Sequence, residues 1–412
     1  MHQEGFKGGV VVIDKIRAQD LSSLFAGFLL WIKKSCTEKR IKKLFFLTRE
    51  GEFFKKVYDE IAHFQEDKEQ DILVDILEVS RVATFAPSIN AVEIEEFLRM
   101  WSLYKEQSPQ AFFSSIGMEA ESFAEKLRQY HLNETEVISS PHEDKRVVDF
   151  LADKDVKRKI MEEITTQREK LKGYFRQKGI SDEDSDEIAV VDIGWRGTIQ
   201  DNLCRIFPNI QWTGYYLCLA SFLNEQPVNG HKFGYLNQGK TEVILRYPTP
   251  IEMICNSSSG SVSRYQKNGG RVEAIRIIDE DENRTYHLYT ENLQTYILNN
   301  IRKCFANNET KEELLSKGNE AVESFLLYPS KQAAAAFFAL KHNETFGNGK
   351  FVAKAIKIKE IMFVQACFSK EKRKQLKCAL WETTWPQGYL VWRHMRGLVP
   401  LYNYILERNY LK

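Results

Sequence analysis

The chain has 412 residues, 43% hydrophobic and 12% aromatic, enough apolar surface for a large buried core, which excludes intrinsic disorder. Its 58 Lys and Arg nearly cancel its 57 Asp and Glu, so no overall field points to nucleic acid or to an acidic membrane as partner. Seven cysteines without CxxC or metal-ligand spacing fit core packing in a reducing compartment. MHQEGFKGG has no secretory pattern, and the apolar runs Leu24 to Ile32 and Ala333 to Leu340 are too short to cross a bilayer. The expectation is a soluble cytoplasmic protein.

In chain order, Val10 to Ile13 reads as a short strand and Leu21 to Lys34 as a helix that buries Leu24, Phe25, Phe28, Leu29 and Ile32. Leu44 to Leu47 is a buried-strand candidate. It runs through the polar turn Thr48 to Gly51 into a helix with Phe53, Phe54, Val57, Tyr58 and Ile61 on its apolar face. Ile72 to Val79 repeats the pattern less cleanly and ends in Ser80 and Arg81. From Asn90 to Lys178 the periodicity turns helical and heavily charged, which predicts an α-helical insertion between two halves of a sheet. The acidic run Ser181 to Glu187 contains Asp184-Ser185-Asp186, similar to the DxD of sugar-nucleotide glycosyltransferases, but a charge run before a strand reads first as a solvated linker.

The chain is organised around IAVVDIGWRGTIQDNL, Ile188 to Leu203. Its apolar run predicts a buried strand ending in Asp192. Gly194 and Gly197 bracket a tight loop, and Thr198 opens a helix with Ile199, Leu203 and Ile206 at helical spacing. Backbone N–H groups and the dipole at such a helix start favour an anion, and Arg196 adds a guanidinium suited to phosphate. The plainer alternative is an ordinary turn whose glycines only permit close packing. Further strands are expected at Trp212 to Ala220 and at FGYL, Phe233 to Leu236, so the pattern predicts a parallel or mixed α/β sheet whose strand ends could share one crevice. Thr249 to Tyr265 is less regular, with Glu252 in an apolar context and a Ser-rich loop at Asn256 to Ser263, ending at Arg264, that reads either as a polar-ligand site or as a mobile connection. From Tyr286 onward the chain reads as mostly helical. Trp381, Trp385, Tyr389 and Trp392 are either a stacking platform for a sugar ring or helix-packing core.

FFLTREGEFFKKVYDEI, Val79-Ser80-Arg81, VVDIGWRGTIQ, FGYL and IEMICNSSSGS together resemble bacterial surface-polysaccharide biosynthesis proteins with FLxRDG and VDIGWxGTxQ elements. The likeness spans residues 40 to 270, and that family is often labelled haloacid-dehalogenase-like. Hydrolase chemistry of that kind needs an aspartate pair at a strand end, whereas Asp192 is followed by Ile193 and Gly194. The chain is also similar to phosphoribosyltransferase-fold ribofuranosyltransferases, although Ile193 replaces their second acid and the turn is short.

That resemblance implies a Rossmann-like, mostly parallel α/β core of phosphoribosyltransferase type over 1–280, interrupted by a helical insertion at 91–178, with a helical region at 281–412. It implies transfer of 5-phosphoribose from phosphoribosyl pyrophosphate with Mg²⁺ to a glycan or lipid-linked glycan acceptor for capsule or O-antigen, with a companion phosphatase acting afterwards. No nucleic acid is expected as a partner, and a peripheral place at the inner membrane face is left open. Arg49, Gly51, Ser80, Arg81, Gly194, Arg196, Gly197 and Thr198 are the implied donor-binding residues, with Asp192, Glu50 and Glu252 catalytic; outside the span of the likeness, Trp381 and Trp385 of the aromatic cluster are the acceptor candidates. The rival expectations are a sugar phosphatase of haloacid-dehalogenase type and a non-catalytic scaffold.

Overall fold

The computed structural model describes residues 15–62, 72–184, 186–236, 242–306, 309–343, 351–353 and 358–410. The strand expected at Val10 to Ile13 lies outside them. Helix α1 (Lys15–Lys39) leads into strand β1 (Lys43–Leu47), helix α2 (Gly51–Ala62) and strand β2 (Leu73–Leu77). The short helix α3 (Arg81–Phe85) opens the long excursion that ends in helix α4 (Lys154–Gln177). Strand β3 (Ile188–Asp192), helix α5 (Thr198–Ile206) and strands β4 (Trp212–Tyr216) and β5 (Gly230–Gly234) complete the central sheet. All five strands are parallel, in the order β2-β1-β3-β4-β5. This is an α/β fold of Rossmann-like kind.

The sheet is covered on both faces, which is why Leu44–Leu47 and Ile188–Val191 are unbroken apolar runs with no polar alternation. Successive side chains point to opposite faces. Leu44, Phe46, Ala189 and Val191 join one core with Phe25, Phe28 and Phe54, whereas Phe45, Ile188 and Val190 join another with Phe175, Leu203 and Trp212. The first core runs on without a break into the C-terminal helices, through Leu293, Ile297, Phe325 and Trp385. Helix Lys311–Leu327 lies so close to α1 that a Cβ on Gly318 would sit 2.9 Å from Leu24 Cα. The C-terminal region is therefore the outer layer of one sheet face.

The helical insertion has its own core. Phe97, Trp101, Phe112, Phe113, Phe123, Phe150 and Ile160 pack together, with the Phe113 and Phe123 rings stacked at 4.3 Å. Its last helix, α4, carries Leu171, Tyr174 and Phe175 back to the sheet. Three expectations change. The strand at Trp212 ends at Tyr216, short of Ala220, and FGYL straddles the end of β5. The segment read as irregular from Thr249 is ordered: helix α6 (Thr249–Cys255) is followed by an antiparallel hairpin of β6 (Ser261–Asn268) and β7 (Arg271–Ile277). Gly269 and Gly270, both at positive φ, make its two-residue turn. Among the described residues no helix is long and apolar enough to cross a membrane, and the seven cysteines are free, five of them buried.

Candidate active site at the strand ends

Strands β1 and β3 are neighbours, but the helices that follow them pack on opposite faces of the sheet, α2 in the first core and α5 in the second. The chain parts at their carboxyl ends, where α/β sheets of this order hold their ligands. A cleft of about 490 Å³ opens there. Loops after three adjacent strands line it: Thr48-Arg49-Glu50 after β1, Val79-Ser80-Arg81 after β2 and Asp192 to Arg196 after β3. Thr198 at the start of α5, Glu252 on α6 and Tyr104 from the insertion complete the wall. So does Glu282, on helix α7 (Glu280–Thr285).

The anion-seeking half is built around the start of α5. Gly197 caps this helix at φ +66, and a Cβ there would meet the Tyr216 hydroxyl at 2.6 Å. Gly194 stands at φ +138, and a Cβ there would collide with the Cys218 carbonyl oxygen. Both glycines are thus required by backbone geometry, and Gly194 also faces the cleft. The Thr48–Arg49 and Gly194–Trp195 peptide bonds are cis. Arg49 is ion-paired with Glu282, Arg81 donates to the Tyr104 hydroxyl at 3.2 Å, and Arg196 Nε donates to the Ser221 carbonyl at 3.1 Å. Ser80 caps α3 by accepting from the Ala83 N–H and donates to the Val262 carbonyl at 2.6 Å, so its hydroxyl ties the hairpin to this corner.

The acidic half is crowded. Asp192 is 7% exposed, and its carboxyl is pushed up to about 8, first by burial and then by Glu50, against the opposing pull of the Ile193 N–H and Arg81. Burial also raises Glu50; Arg49 offsets part of this and Glu252 adds to it. Arg49 shows the reverse balance: burial works against its charge, yet Glu50, Glu282 and Glu252 together raise it above the usual guanidinium value. The Trp195 indole N–H donates to Glu252 Oε1 at 2.7 Å and fixes that carboxylate over the cleft. Asp192, held at about 8 beside fixed cations, is able to donate or accept a proton near neutral pH, and Glu50 is shifted in the same direction. Among the described residues no group of three or more His, Cys, Asp or Glu could hold a metal ion.

Asp192, Glu50, Glu252, Arg49, Ser80, Arg81, Gly194, Arg196 and Thr198 are therefore gathered in one cleft. Others of the expected set lie elsewhere. Gly51 seats α2 on β1, where a Cβ would come within 2.8 Å of the Phe46 carbonyl carbon, and Gly197 lies behind the cleft wall. Trp385 is fully buried between Phe325 and Phe337, with its indole N–H donated to the Leu326 carbonyl, so it is core and no sugar platform. Trp381 sits half-exposed on the outside of the C-terminal layer, against Tyr247. Asp184 and Asp186 pair with Lys43 and Lys42 at the opposite end of the sheet. Glu282, Tyr104 and Trp195 line the cleft without having been expected, Trp195 from inside the organising motif, and Asn256 brings in the start of the Ser-rich loop.

A comparison with protein-family models and with curated proteins gave no match.

Proposed function

We propose that the chain is a glycosyltransferase of phosphoribosyltransferase type that moves 5-phosphoribose from phosphoribosyl pyrophosphate to a sugar hydroxyl of a bacterial glycan and releases pyrophosphate. One observation carries this reading: arginines from the ends of three neighbouring parallel strands, Arg49, Arg81 and Arg196, face one cleft together with the start of a helix. Such a cluster suits a ligand with two separated phosphate groups.

In this reading the amides at the start of α5, the Thr198 hydroxyl and Arg196 cradle the 5-phosphate. Asp192, neutral at pH 7 because its carboxyl is pushed up to about 8, presents a hydroxyl to the ribose. Arg49 exchanges Glu282 for the pyrophosphate and, with Arg81, takes up the charge that builds as the bond from ribose C1 to the pyrophosphate oxygen breaks. The acceptor oxygen bonds to C1, and its proton passes to Glu50 or Glu252. Mg²⁺ bound with the donor would supply charge neutralisation on the departing pyrophosphate, beside Arg49 and Arg81. The phosphoribosylated glycan would then be the substrate of a companion phosphatase.

The phosphatase reading lacks its nucleophile pair: Thr48, Arg49 and Glu50 follow β1, and Ile193 and Gly194 follow Asp192. The deciding experiment incubates the protein with phosphoribosyl pyrophosphate, Mg²⁺ and a panel of lipid-linked and synthetic glycans, and reads products by mass. The expected product carries an added phosphopentose. Release of phosphate from phosphorylated sugars without any transfer would replace this reading with the hydrolase.

A further inference from the structure

Helix α8 (Ile361–Phe368) and helix α9 (Lys370–Glu382), separated by Ser369 alone, form an outer surface of the C-terminal layer. Helix α8 reads IMFVQACF and is apolar on nearly every side. A helix of that kind ordinarily buries its whole circumference. Here Ala366 is buried and Met362 and Phe363 pack on the core, while Ile361, Val364 and Phe368 face outward at 55%, 55% and 86% exposure. The outward residues follow helical spacing, i, i+3 and i+7, so they form one stripe.

Helix α9 is the complement. Leu376, Ala379 and Leu380 turn toward the core, and Lys370, Arg373, Lys374, Lys377 and Trp381 are exposed, again at helical spacing. The helix holds five basic and two acidic residues, in a chain whose total charge is +1. Positive charge is concentrated beside the one apolar helix stripe described above, with a Trp at its end.

We infer that these two helices dock on the surface of an anionic lipid bilayer, with Ile361, Val364 and Phe368 set into the headgroup boundary and the lysines of α9 against the headgroups. Apolar insertion next to a basic stripe is the combination that holds helices in that interface. The charge argues against a second copy as the occupant, because a two-fold interface would set the same basic stripe against itself. The inference is independent of the donor assignment and of any crossing of the membrane.

The test uses the full chain in co-sedimentation with phosphatidylcholine vesicles, with and without phosphatidylglycerol. Binding is expected only to the anionic vesicles and should weaken as salt is raised. Neutralising three charges together (K370Q, K374Q, K377Q) should lower vesicle affinity by roughly a hundredfold, at about one factor of five per basic residue. Val364→Ser with Phe368→Ser should lower it by roughly tenfold or more. Neither variant should change the melting temperature or any donor-dependent shift in it, since all five side chains are exposed and away from the cleft. Equal binding to neutral and anionic vesicles, or no binding at low salt, would overturn the inference. So would a dimer in sedimentation velocity that Phe368→Ser dissociates.

Discussion

The two ends of the central sheet carry charge in opposite ways. At the amino ends of the strands acids and lysines come in matched pairs: Asp184 with Lys43 at 2.9 Å, Asp186 with Lys42 at 3.1 Å, Glu187 with Lys39 at 3.7 Å. At the carboxyl ends Asp192, Glu50, Glu252 and Glu282 share a cleft with Arg49, Arg81 and Arg196, and two of the acids are held above their normal range. Matched surface pairs contribute little to stability and ask nothing of the protein. Crowded, half-neutralised acids in a buried crevice cost stability, and a fold keeps them where they are used.

Replacing the cleft arginines should break this contrast most severely. Arg49→Met or Arg81→Met is expected to slow phosphoribosyl transfer by roughly 10²- to 10³-fold, measured as initial rates of pyrophosphate release with acceptor present. Asp192→Asn is the next largest. A carboxyl raised to about 8 in the fold, against an ordinary value when unfolded, binds more protons folded than unfolded, so stability falls as pH rises from about 4 through about 8. The amide removes that cost. Urea unfolding should therefore find Asp192→Asn more stable than the parent by roughly 1 to 3 kcal/mol at pH 9 and no different near pH 4, while transfer is lost.

Glu282→Gln should act more gently and in the opposite sense to the arginine variants. Without its carboxylate partner, Arg49 is available to the donor from the start. Titration calorimetry with phosphoribosyl pyrophosphate and Mg²⁺ should show roughly five- to tenfold tighter binding, an effect on the order of 1 kcal/mol. At the other end of the sheet, Asp184→Asn and Asp186→Asn should leave transfer rates intact and change stability by less than about 1 kcal/mol.

Sequence patterns exposed one part of this architecture and hid another for identifiable reasons. Strands β1 and β3 were legible because burial on both faces turns them into unbroken apolar runs that end in polar loops, LFFLTRE and IAVVDIG. The loops Thr48 to Glu50 and Asp192 to Thr198 were legible with them, since strand ends are where such sheets bind. The hairpin β6–β7 escaped, although Asn268-Gly269-Gly270 is a turn signal, because its strands are mostly polar and half-exposed and bury no continuous apolar face. Glu282 could not be found by local pattern at all: it lies 233 residues from Arg49 and reaches it only because the C-terminal layer folds back over the sheet. Trp385 misled for a related reason. A cluster of aromatics near Pro386 and Gly388 looks alike whether it stacks on a sugar or on Phe325 and Phe337, and only packing separates the two.

The most direct test of the cleft as a pyrophosphate-donor site is the melting temperature of the protein with and without phosphoribosyl pyrophosphate and Mg²⁺, beside a variant carrying both Arg49→Met and Arg81→Met. At a donor concentration about 100 times the dissociation constant, binding adds about 2.7 kcal/mol of stability. The parent should therefore melt measurably higher with donor, and the double variant should not shift. No shift in the parent, or an equal shift in both proteins, would contradict the assignment.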